Sequence, residues 1–90
     1  MIEITEIKIL PVEHPKLKAY VTITLWDCFV VRDLKVIEGS DGLFVAMPSK
    51  KRKDGSYQDI AHPLNTQTRE TMETLILDAY EAKMGPEQGA

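Results

Sequence analysis

The run from Leu17 to Trp26 alternates strictly between two side-chain phases, and it constrains the fold more than any other feature of this 90-residue chain. One phase carries Leu17, Ala19, Val21, Ile23 and Leu25, and the other carries Lys18, Tyr20, Thr22, Thr24 and Trp26. A period of two is typical of a β-strand with one buried face. Such a strand needs paired neighbours and a cover for its apolar side, so the run predicts a half-buried sheet.

Other short apolar runs supply the neighbours. The further predicted strands span Ile2–Leu10, Phe29–Ile37, Leu43–Met47 and, after the turn Asp54-Gly55, Tyr57–Ile60. The alternation changes phase near Thr5-Glu6 and again at Arg32-Asp33, and one extra residue in the strand, a β-bulge, explains each change. Asp27-Cys28 is predicted to form a tight turn. These signals favour antiparallel strands joined by short connections.

The last third of the chain predicts a helix. Asn65 or Thr66 is a suitable N-cap, and Gly85-Pro86 is a stop signal. The predicted buried stripe contains Met72, Leu75, Ile76, Ala79 and Tyr80, at positions i, i+3, i+4, i+7 and i+8. Leu77 lies off this stripe, and residues 85–90 should fray.

The fold class that follows is α+β, with an antiparallel sheet of four to five strands and a C-terminal amphipathic helix packed on it. One domain is expected over residues 1–90. Residues 1–64 form the sheet with a basic hairpin loop at 49–56, and residues 65–84 form the helix. The helix covers one sheet face, and the other face is partly open or used by a partner.

Chain length also bears on assembly and location. A domain of this size is only marginally stable alone, and the short apolar run Leu43–Met47 would be prone to aggregation as an unpaired edge strand. We therefore expect a homodimer built partly on strand edges.

Cys28 is the sole cysteine and lies in an apolar run, which predicts a buried, inert thiol. No signal peptide and no apolar run of the roughly 20 residues that a membrane helix needs are recognised. The expected location is the cytoplasm, without a membrane partner.

Enzyme chemistry finds little support in the sequence. His14 and His62 each precede a proline, and neither has a Ser, Cys or Asp partner at a motif spacing. One cysteine and two distant histidines form no zinc pattern, and no phosphate-binding glycine motif is present. We therefore expect no catalytic residues, no metal, no cofactor and no small-molecule substrate.

The basic run Lys50-Lys51-Arg52-Lys53 stands out in a chain whose formal net charge is −3. Four cations at a hairpin tip can approach a phosphate backbone while the acidic remainder stays away. The alternative is a solvated loop whose charges keep the turn soluble. Tyr57, just after the tip, is the better candidate for stacking a base, because Trp26 is more easily explained by packing against a neighbouring strand or subunit.

Arg69 lies in the first helical turn, where a cation opposes the helix macrodipole. Phosphate bound near the helix N-terminus would explain its presence, and an exposed arginine without a role is the alternative. The rest of the helix is acidic, which should repel nucleic acid. It carries Glu70, Glu73, Asp78 and Glu81 against Lys83.

Three stretches of the chain resemble one known family. They are FVVRDLKVIEG at 29–39, GLFVAMPSK at 42–50 and DIAHPLN at 59–65, supported by the opening IEITEIK at 2–8 and by Thr68-Arg69. Over nearly its whole length the chain is similar to the stage V sporulation protein G (SpoVG) family. The resemblance implies a small dimeric bacterial protein that binds DNA and RNA and acts as a regulator tied to septation and, in spore formers, to sporulation.

The resemblance also implies where nucleic acid is bound: the basic residues after the MPS segment and around the helix, here Lys50, Lys51, Arg52 and, by proximity, Lys53 and Arg69. Many members have a shorter basic pair before the turn, so the four cations of this chain are a departure. The resulting hypothesis is a non-enzymatic DNA- and RNA-binding regulator. The alternative is a protein-interaction adaptor in cell division whose basic loop binds an acidic partner.

Overall fold

The structure, a computed structural model, describes residues 2–85, which form six strands and one helix. The strands are β1 (Ile4–Pro11), β2 (Leu17–Leu25), β3 (Phe29–Gly39), β4 (Gly42–Ala46), β5 (Ser49–Lys51) and β6 (Tyr57–Asp59), and the helix is α1 (Thr66–Met84). The first four strands form an antiparallel sheet in the order β1-β2-β3-β4. β5 and β6 pair only with each other, as a separate two-stranded ribbon. The α+β class is confirmed.

The alternating run forms β2, which lies inside the sheet between β1 and β3. Ala19, Val21 and Ile23 are at most 1% exposed, and Leu25 is 8% exposed. Their neighbours in sequence point to the opposite face, as a period of two requires. β2 therefore supplies the centre of the core, which also contains Leu34, Val36, Val45, Met47, Met72, Ile76 and Tyr80.

Both predicted bulges are confirmed by the pairing register. Ile4 pairs with Leu25 and Glu6 with Thr24, so Thr5 is the extra residue in β1. In β3 the pairing with β2 shifts by one residue around Arg32-Asp33, and Asp33 takes a left-handed conformation with φ of 67°. These insertions let each strand change phase while keeping its apolar side chains towards the core.

The buried face of α1 is rotated from the predicted stripe. Met72, Ile76 and Tyr80 are buried as predicted, but Leu75 is 41% exposed. Leu77, predicted to lie off the stripe, is half-buried and packs against the core. Leu75 and Leu77 flank Ile76 by about 100° on either side of the helix, so the apolar spacing alone fits both phases. Packing against the sheet selects the side of Leu77.

Both ends of α1 follow the predicted signals. Asn65 is the N-cap, and its side-chain oxygen accepts a hydrogen bond from the Thr68 amide at 2.8 Å. Gly85 is the C-cap with φ of 88°, and its amide donates to the Glu81 carbonyl at 3.0 Å. The prediction of a frayed tail falls mainly on residues 86–90, outside the described range.

The helix spans the sheet and packs against both edge strands, β1 and β4. Glu73, one of the four acidic residues named above in the helix, is half-buried, and its Oε2 atom accepts a hydrogen bond from the Val45 amide at 3.3 Å. That amide belongs to edge strand β4, whose outer side has no neighbouring strand in the sheet. The carboxylate thus satisfies one of the backbone hydrogen-bond donors of this edge strand.

Within residues 2–85 no helix is long and apolar enough to cross a membrane.

Candidate nucleic-acid interface

The basic run lies on the β5–β6 ribbon. Ser49 pairs with Asp59, Lys50 with Gln58 and Lys51 with Tyr57. One further bond, from the Ile60 amide to the Pro48 carbonyl at 2.7 Å, closes the base of the ribbon. The segment predicted as a basic hairpin loop at 49–56 is thus a strand for its first three residues and a turn for the rest.

The turn is a three-residue hairpin connection. The Gly55 amide donates to the Arg52 carbonyl at 3.0 Å, and the Arg52 amide donates to the Ser56 carbonyl at 2.6 Å. Gly55 has φ of 91°, the left-handed position that this loop requires and that glycine adopts without a Cβ penalty. These bonds hold Lys53 at the end of the ribbon.

Asp54 stabilises the turn through two hydrogen bonds from Ser56. Its Oδ1 atom accepts from the Ser56 hydroxyl at 2.6 Å and from the Ser56 amide at 2.9 Å. The two hydrogen bonds favour the carboxylate and lower the pKa of Asp54. The tip therefore carries one negative charge among its four cations, and that charge is used to fix the backbone.

The cations occupy both faces and the end of the ribbon. Directly opposed residues of an antiparallel pair share a face, so Lys51 lies beside Tyr57 and Lys50 beside Gln58 on the other face. Arg52 and Lys53 follow at the turn, and every residue from 50 to 62 is exposed. The one ion pair within residues 2–85 joins Lys18 to Glu38 at 3.3 Å, so the basic tip, defined as Lys50 to Lys53, is unpaired there.

Tyr57 belongs to the same site as the basic tip, because it is 69% exposed and pairs with Lys51. Arg69 lies in the first turn of α1 and is half-buried. Among the described residues no hydrogen bond or ion pair links its side chain to the ribbon. The structure therefore groups five of the six predicted binding residues on one ribbon and leaves Arg69 on a separate element.

Comparison with known proteins identifies the family. The family model SpoVG matches residues 2–82. The chain belongs to the SpoVG family. It is 67% identical over 82 residues to a protein of Anaeromyxobacter sp. (strain Fw109-5), covering 91% of this chain and 84% of that one. It is 69% identical over 78 residues to a protein of Myxococcus xanthus, covering 87% and 79%. Both relatives are named "Putative septation protein SpoVG".

A more distant relative from Agathobacter rectalis bears the same name and is 54% identical over 83 residues, covering 91% of this chain and 95% of its own length. The matched region of the SpoVG-family chain includes the whole ribbon and nearly all of α1.

The segments that carry the SpoVG resemblance meet at the base of the ribbon. Met47 and Pro48 before β5, and Ala61, His62 and Pro63 after β6, line one apolar cleft of about 200 Å³ together with residues from β2, β3 and α1. Met47 and Pro48 are buried, whereas the ribbon beyond them is exposed. The cleft is therefore where the ribbon joins the body of the molecule.

The predicted tight turn between β2 and β3 is present, but its conformation and the exposure of Cys28 were not predicted. The turn forms where predicted, with the Cys28 amide donating to the Leu25 carbonyl at 3.0 Å, but Trp26 and Asp27 both take left-handed conformations with φ of 51° and 55°. Cys28 is exposed, so the prediction of a buried thiol was wrong. The apolar run that contains Cys28 turns at a sheet end, and its first members, Phe29 and Val30, are also more than half exposed.

The histidines have local structural contacts. His14 Nδ1 accepts from the amides of Lys16 and Leu17, each at 3.0 Å, which closes the β1–β2 connection. His62 Nδ1 lies 3.0 Å from the Pro63 carbonyl. In the part of the chain that the structure describes, no three His, Cys, Asp or Glu side chains are grouped so that they could hold a metal ion.

Proposed function

We propose that this SpoVG-family chain is a non-enzymatic regulator that binds DNA and RNA through the β5–β6 ribbon. The observation that carries the proposal is the basic tip, which forms no ion pair within residues 2–85 and lies on an exposed two-stranded ribbon, in a chain of net charge −3. Phosphate contacts of this kind give affinity that depends little on sequence and strongly on salt.

The distribution of the cations favours a groove over a flat surface. Lys50 and Lys51 point to opposite faces of the ribbon, and Arg52 and Lys53 lie at its end. A ligand that meets all four must surround the ribbon. The major groove of B-DNA, about 12 Å wide, admits a two-stranded ribbon and presents phosphates on both walls. Tyr57 would then face one wall beside Lys51.

The biological context of the proposal comes from the relatives, whose names assign them to septation. By the same relationship we propose a cytoplasmic regulator of septation and cell division and, in spore-forming bacteria, of sporulation. Arg69 is proposed as an auxiliary contact, since it lies at the positive end of α1.

A homodimer is part of the proposal. Its support is the number of large apolar side chains that are exposed around the β2–β3 turn and in the segment after β6. They are Trp26, Phe29, Val30, Ile60 and Leu64. Two copies would present two basic tips to one duplex, and linking two weak contacts raises avidity. We expect sedimentation equilibrium to give the dimer mass at micromolar concentration; a monomer mass there would rule the dimer out.

The test of the binding site replaces the basic tip with four alanines and measures gel shifts with random-sequence duplex DNA and duplex RNA at two salt concentrations. We expect binding to be lost while the thermal melt stays close to that of the parent, because exposed charges usually change stability by less than about 0.5 kcal/mol. Unchanged affinity of the folded variant at low salt would contradict the proposal.

A charge-matched control tests whether the affinity comes from a local binding site or from the net charge of the protein. Replacing the exposed residues Glu13, Glu70 and Glu81 with Gln and Asp78 with Asn in the same variant restores the formal net charge to −3. The restored variant should still fail to bind. Recovery of binding would mean that net charge, and not the ribbon, sets the affinity.

The second candidate function is a protein-interaction adaptor in cell division whose basic tip binds an acidic partner. The relatives' names favour it, because septation is named and nucleic acid is not. A gel shift with the parent protein at low salt distinguishes the two candidates, because an adaptor would bind neither DNA nor RNA.

A further inference from the structure

The sheet face opposite the helix is open, and one row of side chains crosses all four strands on it. Leu10 pairs with Tyr20, Tyr20 with Lys35, and Lys35 with Ala46. Helix α1 and the buried side chains of β2 lie on the other face. The row therefore runs across a surface that no other element of residues 2–85 covers.

Aromatic rings lie on this open face. Tyr20, on central strand β2, is 39% exposed, and Phe44, on β4, is 42% exposed. Phe44 is two residues from Ala46 and so shares its face, two strands away from Tyr20. Adjacent strands are about 4.8 Å apart, which separates the two rings by about 10 Å across the sheet. Leu10, next to Tyr20 on β1, is 64% exposed.

Cations surround Tyr20. Lys35 is its direct cross-strand neighbour, and Lys8 and Arg32 line the same shallow depression as Tyr20. None of the three forms an ion pair within residues 2–85. The acidic side chains near Tyr20 on this face are Asp33, in the depression, and Glu6, further along β1. Unpaired positive charge thus gathers next to the exposed ring.

We propose that this open face binds a short stretch of single-stranded nucleic acid, with a base stacked on Tyr20 and phosphates on Lys8, Arg32 and Lys35. A sheet surface is too broad to enter a duplex groove, and the bases of a duplex are already stacked, so only an unpaired base reaches the ring. The inference rests on the proposed function, that the chain binds nucleic acid, but it assigns a second surface with a different ligand form.

The charges also argue against a second copy of the chain as the occupant. In a two-fold interface the same patch faces itself, so the positive patch of Lys8, Arg32 and Lys35 would face a second positive patch. Like charges brought together in this way disfavour self-association, whereas a phosphate backbone complements them.

The test measures fluorescence anisotropy with a labelled 12-nucleotide single strand, as DNA and as RNA, and with a labelled duplex. Tyr20→Thr removes the ring but places another residue of high β-propensity in the strand, and Tyr20→Phe keeps the ring as the matched control. We expect Tyr20→Thr to weaken single-strand binding by about tenfold or more, since stacking on one aromatic ring contributes on that scale. Tyr20→Phe should bind like the parent, and duplex binding should be unchanged in both.

Arg32→Gln provides a second variant if Tyr20→Thr does not fold, because Arg32 is exposed. It should reduce the salt slope of single-strand binding by about 0.7. Single-strand binding that neither variant alters would overturn the open-face site while leaving the ribbon proposal standing. A parent that binds no nucleic acid at low salt would overturn both. A dimer that Tyr20→Thr converts to monomer would assign the face to self-association instead.

Discussion

At the scale of single residues, the β2–β3 turn shows how local backbone cost is offset by neighbouring contacts. Trp26 and Asp27 occupy the two central, left-handed positions of the turn from Leu25 to Cys28, where Asn-Gly is preferred. A bulky residue with positive φ is an outlier. The Trp26 amide donates to the Glu3 carbonyl at 3.0 Å and the Asp27 amide donates to Thr5 Oγ1 at 3.0 Å. These bonds tie the turn to β1 and hold it in place.

The exposed position Asp27 tests this conformational account. Asp27→Gly should be neutral or stabilise the fold by up to about 1 kcal/mol, and Asp27→Ala should destabilise it by about 1 kcal/mol, because glycine adopts the left-handed region without a Cβ penalty. Both variants keep the backbone amide that donates to Thr5. Urea denaturation of the three proteins gives the order; an alanine variant as stable as the glycine variant would contradict it.

Neighbouring residues of α1 differ sharply in their contribution to the core. Ile76 is fully buried and Leu75 is 41% exposed. Ile76→Ala should cost about 2–5 kcal/mol, as deletion of buried apolar groups does, whereas Leu75→Ala should cost less than about 1 kcal/mol. Thermal melts of the two variants check this directly. Equal losses of stability would show that the helix is rotated from the phase described.

At the scale of elements, the contact between α1 and β4 protects a sheet edge. An edge strand exposes unpaired amides that can recruit another chain, and Glu73 occupies one of them in β4. The same contact leaves less of this edge free for the strand-edge dimer that the sequence predicts. The exposed apolar side chains at the β2–β3 turn and in the segment after β6 are therefore the surface that we expect a second copy to cover.

Glu73→Ala should expose the Val45 amide to faster hydrogen exchange and lower stability by about 1–2 kcal/mol, since a buried donor loses its acceptor. Glu73→Gln is the control, because its side-chain carbonyl still accepts a hydrogen bond. Native-state exchange of the Val45 amide is the measurement. Equal protection in all three proteins would mean that the helix carboxylate does not hold the edge.

The sequence predicts elements more reliably than it predicts contacts between them. Strict alternation identified β2, and the two phase changes located the bulges at Thr5 and Arg32-Asp33, because side-chain period is a local property. The rotation of α1, the role of Glu73 and the exposure of Cys28 depend on tertiary packing. None of these three is encoded in spacing along the chain.

At the scale of the whole molecule, positive and negative side chains are concentrated on different surfaces. The chain is acidic overall, yet its exposed ribbon carries four cations that form no ion pair within residues 2–85, and its open sheet face groups three more around Tyr20. The core, built from one face of the sheet and one side of α1, separates the open sheet face from the acidic helix. The ribbon was predictable because the basic run and Asp54-Gly55 are contiguous. The sheet-face site was not, because its members come from three strands.

The central claim is that the basic tip contacts phosphates, and the salt dependence of duplex binding tests it most directly. Each phosphate contact contributes about 0.9 to the slope of log Kd against log salt concentration. We expect Lys51→Ala to lower the slope by about 1 on every duplex sequence, and replacement of the whole tip to leave no measurable duplex binding. Lys83→Ala, at the far end of α1, should leave the slope unchanged. A slope that is equal in the parent and in the Lys51→Ala variant would contradict the account.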